Sequence, residues 1–296
     1  MTGRRRGEKL ILHFVDGTPE GLIQAELMNW SGSILRVPRA QLAEALSLQE
    51  AGAPGVYVLM GDIDGEATAY IGETDEIRTR IKTHDQQRTW WSSAVFITAS
   101  TQLNKASVQY LESRLIEVAK RVKRVKLANG QAPTLPTLSK SDEDALETFL
   151  ENLWLVLPAL RVDFFLEMTR PAVQASHDPQ FVLLNSQGET AATAFIHDGE
   201  FIVRQGSSTI AKSGELLPNS YFESLQARLL KSGVVKLDGG RGVFTANTAF
   251  QSANSAAAII SGTSELGTVQ WKLKGSDRTY QDWEAEQLAA KEEGPE

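Results

Sequence analysis

Hydrophobic positions near the N-terminus recur at every second residue: Leu10, Leu12 and Phe14 share one side of an extended chain, and Asp16-Gly17 supplies a turn signal. Ala40 to Gln49 is amphipathic at helical spacing, so the first fifty residues read as β structure closing in a helix, an extension packed on the domain that follows. Two apolar runs come next, Gly55 to Met60 and Ala67 to Gly72, joined by a polar segment with Asp64-Gly65 in the pattern of a β-hairpin. The segment Gly61 to Thr68 predicts a connection longer than a minimal turn. Glu76 to His84 predicts a short helix and Ala94 to Thr98 a third strand. A long helix is expected from Lys105 to Lys126, where Val108, Leu111, Leu115, Val118, Val122 and Val125 fall at three- and four-residue steps.

Asn129 to Ser139, with Gly130, Pro133 and Pro136, breaks this pattern and reads as a loop. A helix begins near Ser141, with Asp144 three residues on as a start signal, and ends before Pro158. After a turn-rich stretch from Pro171 to Pro179, strands are expected at Phe181 to Leu184, Ala191 to Ile196, Glu200 to Val203, Val234 to Leu237 and Val269 to Leu273. Helices are expected at Ser220 to Lys231 and Ala253 to Ser261, and Gly239-Gly240-Arg241-Gly242 reads as a hairpin turn. The pattern gives an α+β chain: a β-rich extension over 1–50, a central domain over 51–132, a helical connector over 133–178, a second α+β domain over 179–288 and a disordered tail over 289–296.

Composition narrows the function classes. A chain of 296 residues with 42% hydrophobic content is long enough for two cores, and no apolar run approaches the roughly 18 residues that cross a bilayer. Arg4, Arg5 and Arg6 precede only a short apolar stretch, too short for an export signal, so a cytoplasmic protein without membrane association is expected. The absence of cysteine removes disulfides, thiolate metal sites and cysteine nucleophiles. A formal net charge of −7 argues against a protein that coats DNA, yet Arg78 to Lys126 is locally basic, while acidic residues gather at Asp142 to Glu151 and beyond Asp282. A basic run is more often a solvated helix face than a binding surface.

The hairpin carries Gly55-Val56-Tyr57 on one strand and Tyr70-Ile71-Gly72 on the other, so two tyrosines come from paired strands. Tyrosine is common in strands, and the pair alone is weak. Arg80 lies ten positions beyond Tyr70 and His84 four beyond Arg80, so both project from one face of the short helix. On the long helix, Glu112 sits at the margin of the apolar stripe, either as a salt-bridge partner of Arg114 or Arg121 or as a metal ligand at the edge of a cleft. Gly55 and Gly72 read as places where backbone must approach closely. Trp90 and Trp91 are read as packing residues ahead of base-stacking ones, and His13, His177 and His197 have no partner at ligand spacing.

From Pro54 to Asn129 the order GVY, YIG, Arg80, His84, Tyr110-Leu111-Glu112 and Asn129 resembles the GIY-YIG endonucleases. That resemblance implies a small antiparallel sheet flanked by helices that hydrolyses DNA phosphodiester bonds. In it Glu112 would be the single protein ligand of Mg²⁺ or Mn²⁺, and Arg80 would stabilise the transition state. Tyr57 would act as, or position, the general base, which requires its pKa to be depressed from about 10. Tyr70 and His84 would orient water and phosphate or relay protons, with His84 the alternative base, and Asn129 would brace the site. Val56 stands where the family usually has Ile, and Glu73 and Asp75 place carboxylates beside the expected phosphate site, opposing tight DNA binding. A nucleic-acid or protein binding module that kept the fold with weak or no turnover is the alternative, and restriction-modification, repair and phage defence all stay open.

Phe250 to Trp283, with Ser252, Ser255-Ala256-Ala257-Ala258, Gly262 and Trp271-Lys272, is similar to a small domain of unknown function found at the ends of nucleases and restriction-modification proteins. The small residues would let that helix approach its neighbour closely and Trp271 would fill the resulting core. The resemblance implies by association a role in holding DNA or a protein partner.

Overall fold

The computed structural model describes residues 7–100, 103–130, 133–170, 178–212, 220–263 and 267–292. The chain forms two compact units, Met1–Leu166 and Glu167–Glu296, each mixed α+β. The boundary falls inside the stretch that the sequence reads as a connector, and the helix of that stretch belongs with the first unit.

In the first unit, β1 (Leu10–Phe14), β2 (Ile23–Leu27) and β3 (Gly32–Pro38) lead through a 3₁₀ turn into α1 (Leu42–Ala45) and a second 3₁₀ turn. Then come β4 (Gly55–Ile63), β5 (Glu66–Thr74), α2 (Ile77–Gln87), β6 (Trp91–Ala99), α3 (Lys105–Val122), β7 (Lys126–Leu127) and α4 (Lys140–Ala159). The strands form one seven-stranded sheet in the order β1-β2-β3-β6-β4-β5-β7, antiparallel except for the β5–β7 edge pair. The N-terminal residues are thus part of the central sheet, joined to it by β3 pairing with β6 from Gly32 to Pro38. The expected helix Ala40 to Gln49 shrinks to α1, whose start has no side-chain cap.

The hairpin is longer and its turn tighter than the polarity pattern predicts. Strands β4 and β5 pair without interruption from Gly55↔Thr74 to Ile63↔Glu66, and Asp64-Gly65, with φ of 54° and 79°, makes the two-residue turn. Two left-handed residues match the twist of the flanking strands. Exposed polar side chains on the last rungs leave backbone pairing untouched, which is why the polar segment misreads as a loop.

Alternation along the strands sends successive side chains to opposite faces. Val56, Val58, Ile71, Val95 and Ile97 pack against α3 and α4 through Val108, Leu111, Leu115, Phe149 and Leu153. Tyr57, Leu59, Ala94 and Phe96 face the other way, onto Ile77 and Ile81 of α2. Helix α3 starts under Asn104, whose side chain accepts from the Ser107 N–H, and stops at Lys123 in the left-handed region, leaving Val125 outside the helix. Helix α4 starts under Ser139 rather than Ser141 and carries Pro158 within its last turn, ending one residue later at Ala159.

The second unit contains β8 (Thr169–Arg170), β9 (Gln180–Leu184), β10 (Thr190–His197), β11 (Glu200–Val203), β12 (Ser208–Lys212), α5 (Ser220–Ser232), β13 (Val235–Asp238), β14 (Arg241–Phe244) and β15 (Asn247–Phe250). It closes with α6 (Ala253–Ser261), α7 (Gly267–Gln270), β16 (Lys272–Leu273) and α8 (Tyr280–Glu292). Its strands form a six-stranded sheet, β16-β9-β10-β11-β15-β8, and a three-stranded one, β12-β14-β13. Gly239-Gly240 turns between β13 and β14 with φ of 56° and 82°, while Arg241 and Gly242 lie in the strand. The expected strand Val269 to Leu273 divides into the last residues of α7 and the short β16. Helix α8 runs through Glu292, into residues read as tail; 293–296, and most of the stretch from Pro171 to Pro179, lie outside the described residues.

Ala256 and Ala257 of α6 are fully buried, and a Cβ on Gly267 would stand 2.6 Å from that of Ala257, so α7 reaches α6 only because both contacts are small. Trp271 fills the adjoining core, its Nε1–H donating to the Ala253 carbonyl at 3.1 Å. Trp271→Ala is expected to destabilise the second unit by about 3–5 kcal/mol, and an unchanged urea midpoint for that unit would contradict this role.

Candidate functional site

Tyr57 lies opposite Gly72 in the β4–β5 register, and Tyr70 stands two residues back on the same face. A Cβ on Gly72 would collide with the Tyr57 hydroxyl and the ring carbon that bears it, so the phenol occupies the space where β5 has no side chain. Gly55 is equally constrained: a Cβ there would strike the Ile97 carbonyl of β6. Both glycines are therefore close-approach positions, as their type suggests.

Helix α2 crosses this face and presents residues at four-residue steps. Ile77 and Ile81 anchor it in the core, which aims Arg80 and His84 at the tyrosines. His84 Nε2 lies 2.8 Å from Tyr57 Oη, and Arg80 Nε donates to the same oxygen at 3.3 Å. The Tyr70 ring centroid is 5.1 Å from that of His84 and 6.2 Å from that of Tyr57. Arg88, one further four-residue step along, donates from Nε to His84 Nδ1 at 3.1 Å and stacks over Tyr70 at 4.3 Å. Sequence reading passes over Arg88, although the 80, 84, 88 spacing carries the signal.

Burial decides the electrostatics of this cluster. Tyr57 is closed off from solvent, and desolvation, reinforced by Tyr70, holds its phenol above the ordinary value although Arg80 acts in the opposite direction. The depression that a base requires is absent here: one partly exposed guanidinium does not outweigh burial of the phenolate. Burial together with the charges of Arg80 and Arg88 pushes His84 down to about 4, so its ring is neutral at neutral pH. Tyr70 is half-buried and Arg80 exposed, so these two form the outer surface of the cluster.

Glu112 approaches from α3, on the opposite face of the sheet. Its carboxylate lies beside the Glu73 backbone at the edge of β5, and it feels the charges of Glu73, Lys105 and Arg80. Arg114 and Arg121, the salt-bridge partners that the sequence offers for it, turn elsewhere: Arg114 to Glu147 and Glu117, Arg121 to Glu117. Among the described residues no cation forms an ion pair with Glu112. Burial, and then the charge of Glu73, raises its pKa to about 7. Glu73 and Asp75 share Lys105, whose Nζ lies 2.8 Å and 3.7 Å from their carboxylates, so one of the two negative charges is balanced.

Asn129 meets none of the other proposed groups. Its side chain accepts from the Ile71 N–H at 3.1 Å and donates to the Ile71 carbonyl at 2.7 Å, continuing the edge of β5 beyond β7. It braces the strand that carries Tyr70. Trp91 is buried in the core under the Arg39 guanidinium and Trp90 packs beside that core, so the tryptophan pair serves packing. The basic window is likewise mostly engaged: Arg78 donates to the Leu46 and Leu48 carbonyls, and Arg124 pairs with Asp163. Outside this unit, His197 pairs with Asp178, while His177 lies outside the described residues.

Residues 182–284 match the model of a family described as Domain of unknown function (DUF4357). That match lies within the second unit and agrees with the C-terminal domain of unknown function expected from Phe250 to Trp283. The Tyr57 cluster lies outside it. No curated protein and no solved structure matches the chain.

Two stability measurements follow from the site. Gly72→Ala should cost about 1–3 kcal/mol by forcing the phenol from its seat, and a urea midpoint equal to wild type would show that the contact yields freely. Glu112, raised from 4.5 to about 7, withdraws stability as pH rises across that interval, whereas His84, lowered from 6.5 to about 4, adds stability as pH rises across its own. Glu112→Gln removes the first effect alone. In cation-free buffer its melting temperature relative to wild type should therefore increase from pH about 4.5 to pH about 8; a difference that stays flat would refute the assignment.

Proposed function

We propose that the first unit is a GIY-YIG-type endonuclease that hydrolyses DNA phosphodiester bonds with the help of a divalent cation. The observation that carries this is the direct contact of Tyr57, Tyr70, Arg80 and His84, drawn from two strands and one helix, with an uncompensated carboxylate, Glu112, at the edge of the same hairpin.

The donor chemistry fits a hard cation. Glu112 is half-buried, without a paired cation among the described residues, and keeps its proton up to about 7, so a cation would relieve its desolvation. The described residues contain no group of three or more His, Asp or Glu side chains able to hold a metal, so Mg²⁺ or Mn²⁺ would depend on Glu112 and keep most of its waters. A cation there would supply positive charge beside the scissile phosphate and the departing oxygen.

The protein's own groups supply the rest. Arg80, exposed and fixed against the Tyr57 oxygen, presents its remaining guanidinium N–H groups to a non-bridging phosphate oxygen, where charge grows as the pentavalent state forms. Tyr57 is sealed, so a proton from the attacking water reaches its phenolate by way of the half-buried Tyr70 hydroxyl. As the water oxygen bonds to phosphorus, the bond to the 3′ oxygen breaks, and that oxygen takes a proton from solvent.

Both ionisations on this route are shifted upward, with one consequence for turnover. Glu112 has to lose its proton to hold a cation and Tyr57 has to lose its own to act as base, so the rate should climb with pH from about 6 to about 9. The raised phenol is also the specific observation that favours the second reading, a DNA-binding module of the same fold with little turnover. Labelled single- and double-stranded DNA incubated with Mg²⁺, Mn²⁺ or EDTA separates the two. Metal-dependent products that rise with pH, and fall about 10²–10⁴-fold in Tyr57→Phe and Glu112→Ala, support hydrolysis; salt-sensitive binding without products in any metal supports the binding module.

A further inference from the structure

We infer that Arg88 is a positioning residue that fixes the tautomer of His84, so that the imidazole donates its proton to Tyr57 and cannot receive one from it. This rests on the endonuclease reading for its role in turnover, but the geometry stands without that reading. A guanidinium Nε carries a hydrogen and has no lone pair to accept with. Arg88 Nε lies 3.1 Å from His84 Nδ1, so Nδ1 accepts and is unprotonated. The single ring proton of neutral His84 is then on Nε2, 2.8 Å from the Tyr57 oxygen and directed at it.

That oxygen therefore receives two N–H bonds, one from His84 and one from Arg80 at 3.3 Å. Its own hydroxyl proton has to point away from both. The consequence is a division of labour between the two candidate bases. With Nδ1 bound to Arg88 and Nε2 carrying a proton, His84 has no lone pair to offer the Tyr57 hydroxyl, and acts as a donor that favours the phenolate over the phenol. Stacking of the same guanidinium on Tyr70 at 4.3 Å holds Arg88 in place, so one side chain sets both the proton position and the pose of the outer tyrosine.

Nitrogen-detected NMR of the full chain labelled with ¹⁵N-histidine reads the tautomer without DNA or metal. His84, assigned by the signals missing from His84→Gln, should show an unprotonated Nδ1 and a protonated Nε2 at neutral pH. Arg88→Glu replaces the donor with an acceptor and should move the proton to Nδ1, whereas Arg88→Lys, which still donates, should keep the wild-type pattern. In the cleavage assay Arg88→Glu should lose about 10²-fold while Arg88→Lys stays within about tenfold of wild type. A wild-type spectrum with the proton on Nδ1 overturns the inference whatever the variants do, as does Arg88→Glu keeping it on Nε2. Absence of cleavage in every protein, with the tautomers as stated, counts against the endonuclease reading and leaves the role of Arg88 standing.

Discussion

The Tyr57 ring lies over bare backbone at Gly72, and that close approach fixes where every other group of the cluster can stand. A Cβ at that rung would occupy the place of the hydroxyl, so a glycine there leaves room for it. Helix α2, held by Ile77 and Ile81, then meets the hydroxyl with two nitrogens, His84 Nε2 at 2.8 Å and Arg80 Nε at 3.3 Å. A buried phenol is costly to ionise, and Arg80 opposes part of the desolvation that keeps it protonated.

The two faces of the sheet divide the chemistry. Aromatic and nitrogen groups converge on the α2 side, while the carboxylates and their lysine gather on the α3 side, where Glu112, Glu73 and Lys105 meet at the outer edge of β5. Strand β5 joins these halves, and its edge is closed by the short β7 and then by the Asn129 amide. A strand that carries a site at its border needs its unpaired backbone groups satisfied there, since open edges invite pairing with other chains. The second unit is organised separately around Trp271 and the close contact of α6 with α7, and among the described residues no helix is long and apolar enough to cross a membrane.

Much of the local structure was legible before any coordinates. The Asp64-Gly65 turn, the four-residue step from Arg80 to His84, the stripe on α3 and the small residues of α6 are short-range patterns, and each is read from steric or periodic rules that act within a few residues. The errors also have local causes. Polar side chains at the end of the hairpin suggested a loop because side-chain polarity says little about backbone pairing, and Pro158 suggested a helix end because the rule ignores how near the true end lies. For Arg88 the four-residue step from His84 places the two side chains side by side, but that spacing does not say that the guanidinium will choose the imidazole.

The chain's sequence by itself determined the order and type of most elements, the two glycines that need bare backbone, and the residues from which a site could be drawn, because those depend on steric fit and periodicity along the chain. Only the tertiary structure decided that the first fifty residues complete the central sheet, that Arg114 and Arg121 pair with Glu147 and Glu117 and not with Glu112, and that Tyr57 is sealed while Tyr70 and Arg80 face outward. Those outcomes turn on contacts between residues far apart in the chain and on exclusion of water, and desolvation belongs to the assembled surroundings of a side chain rather than to the side chain itself.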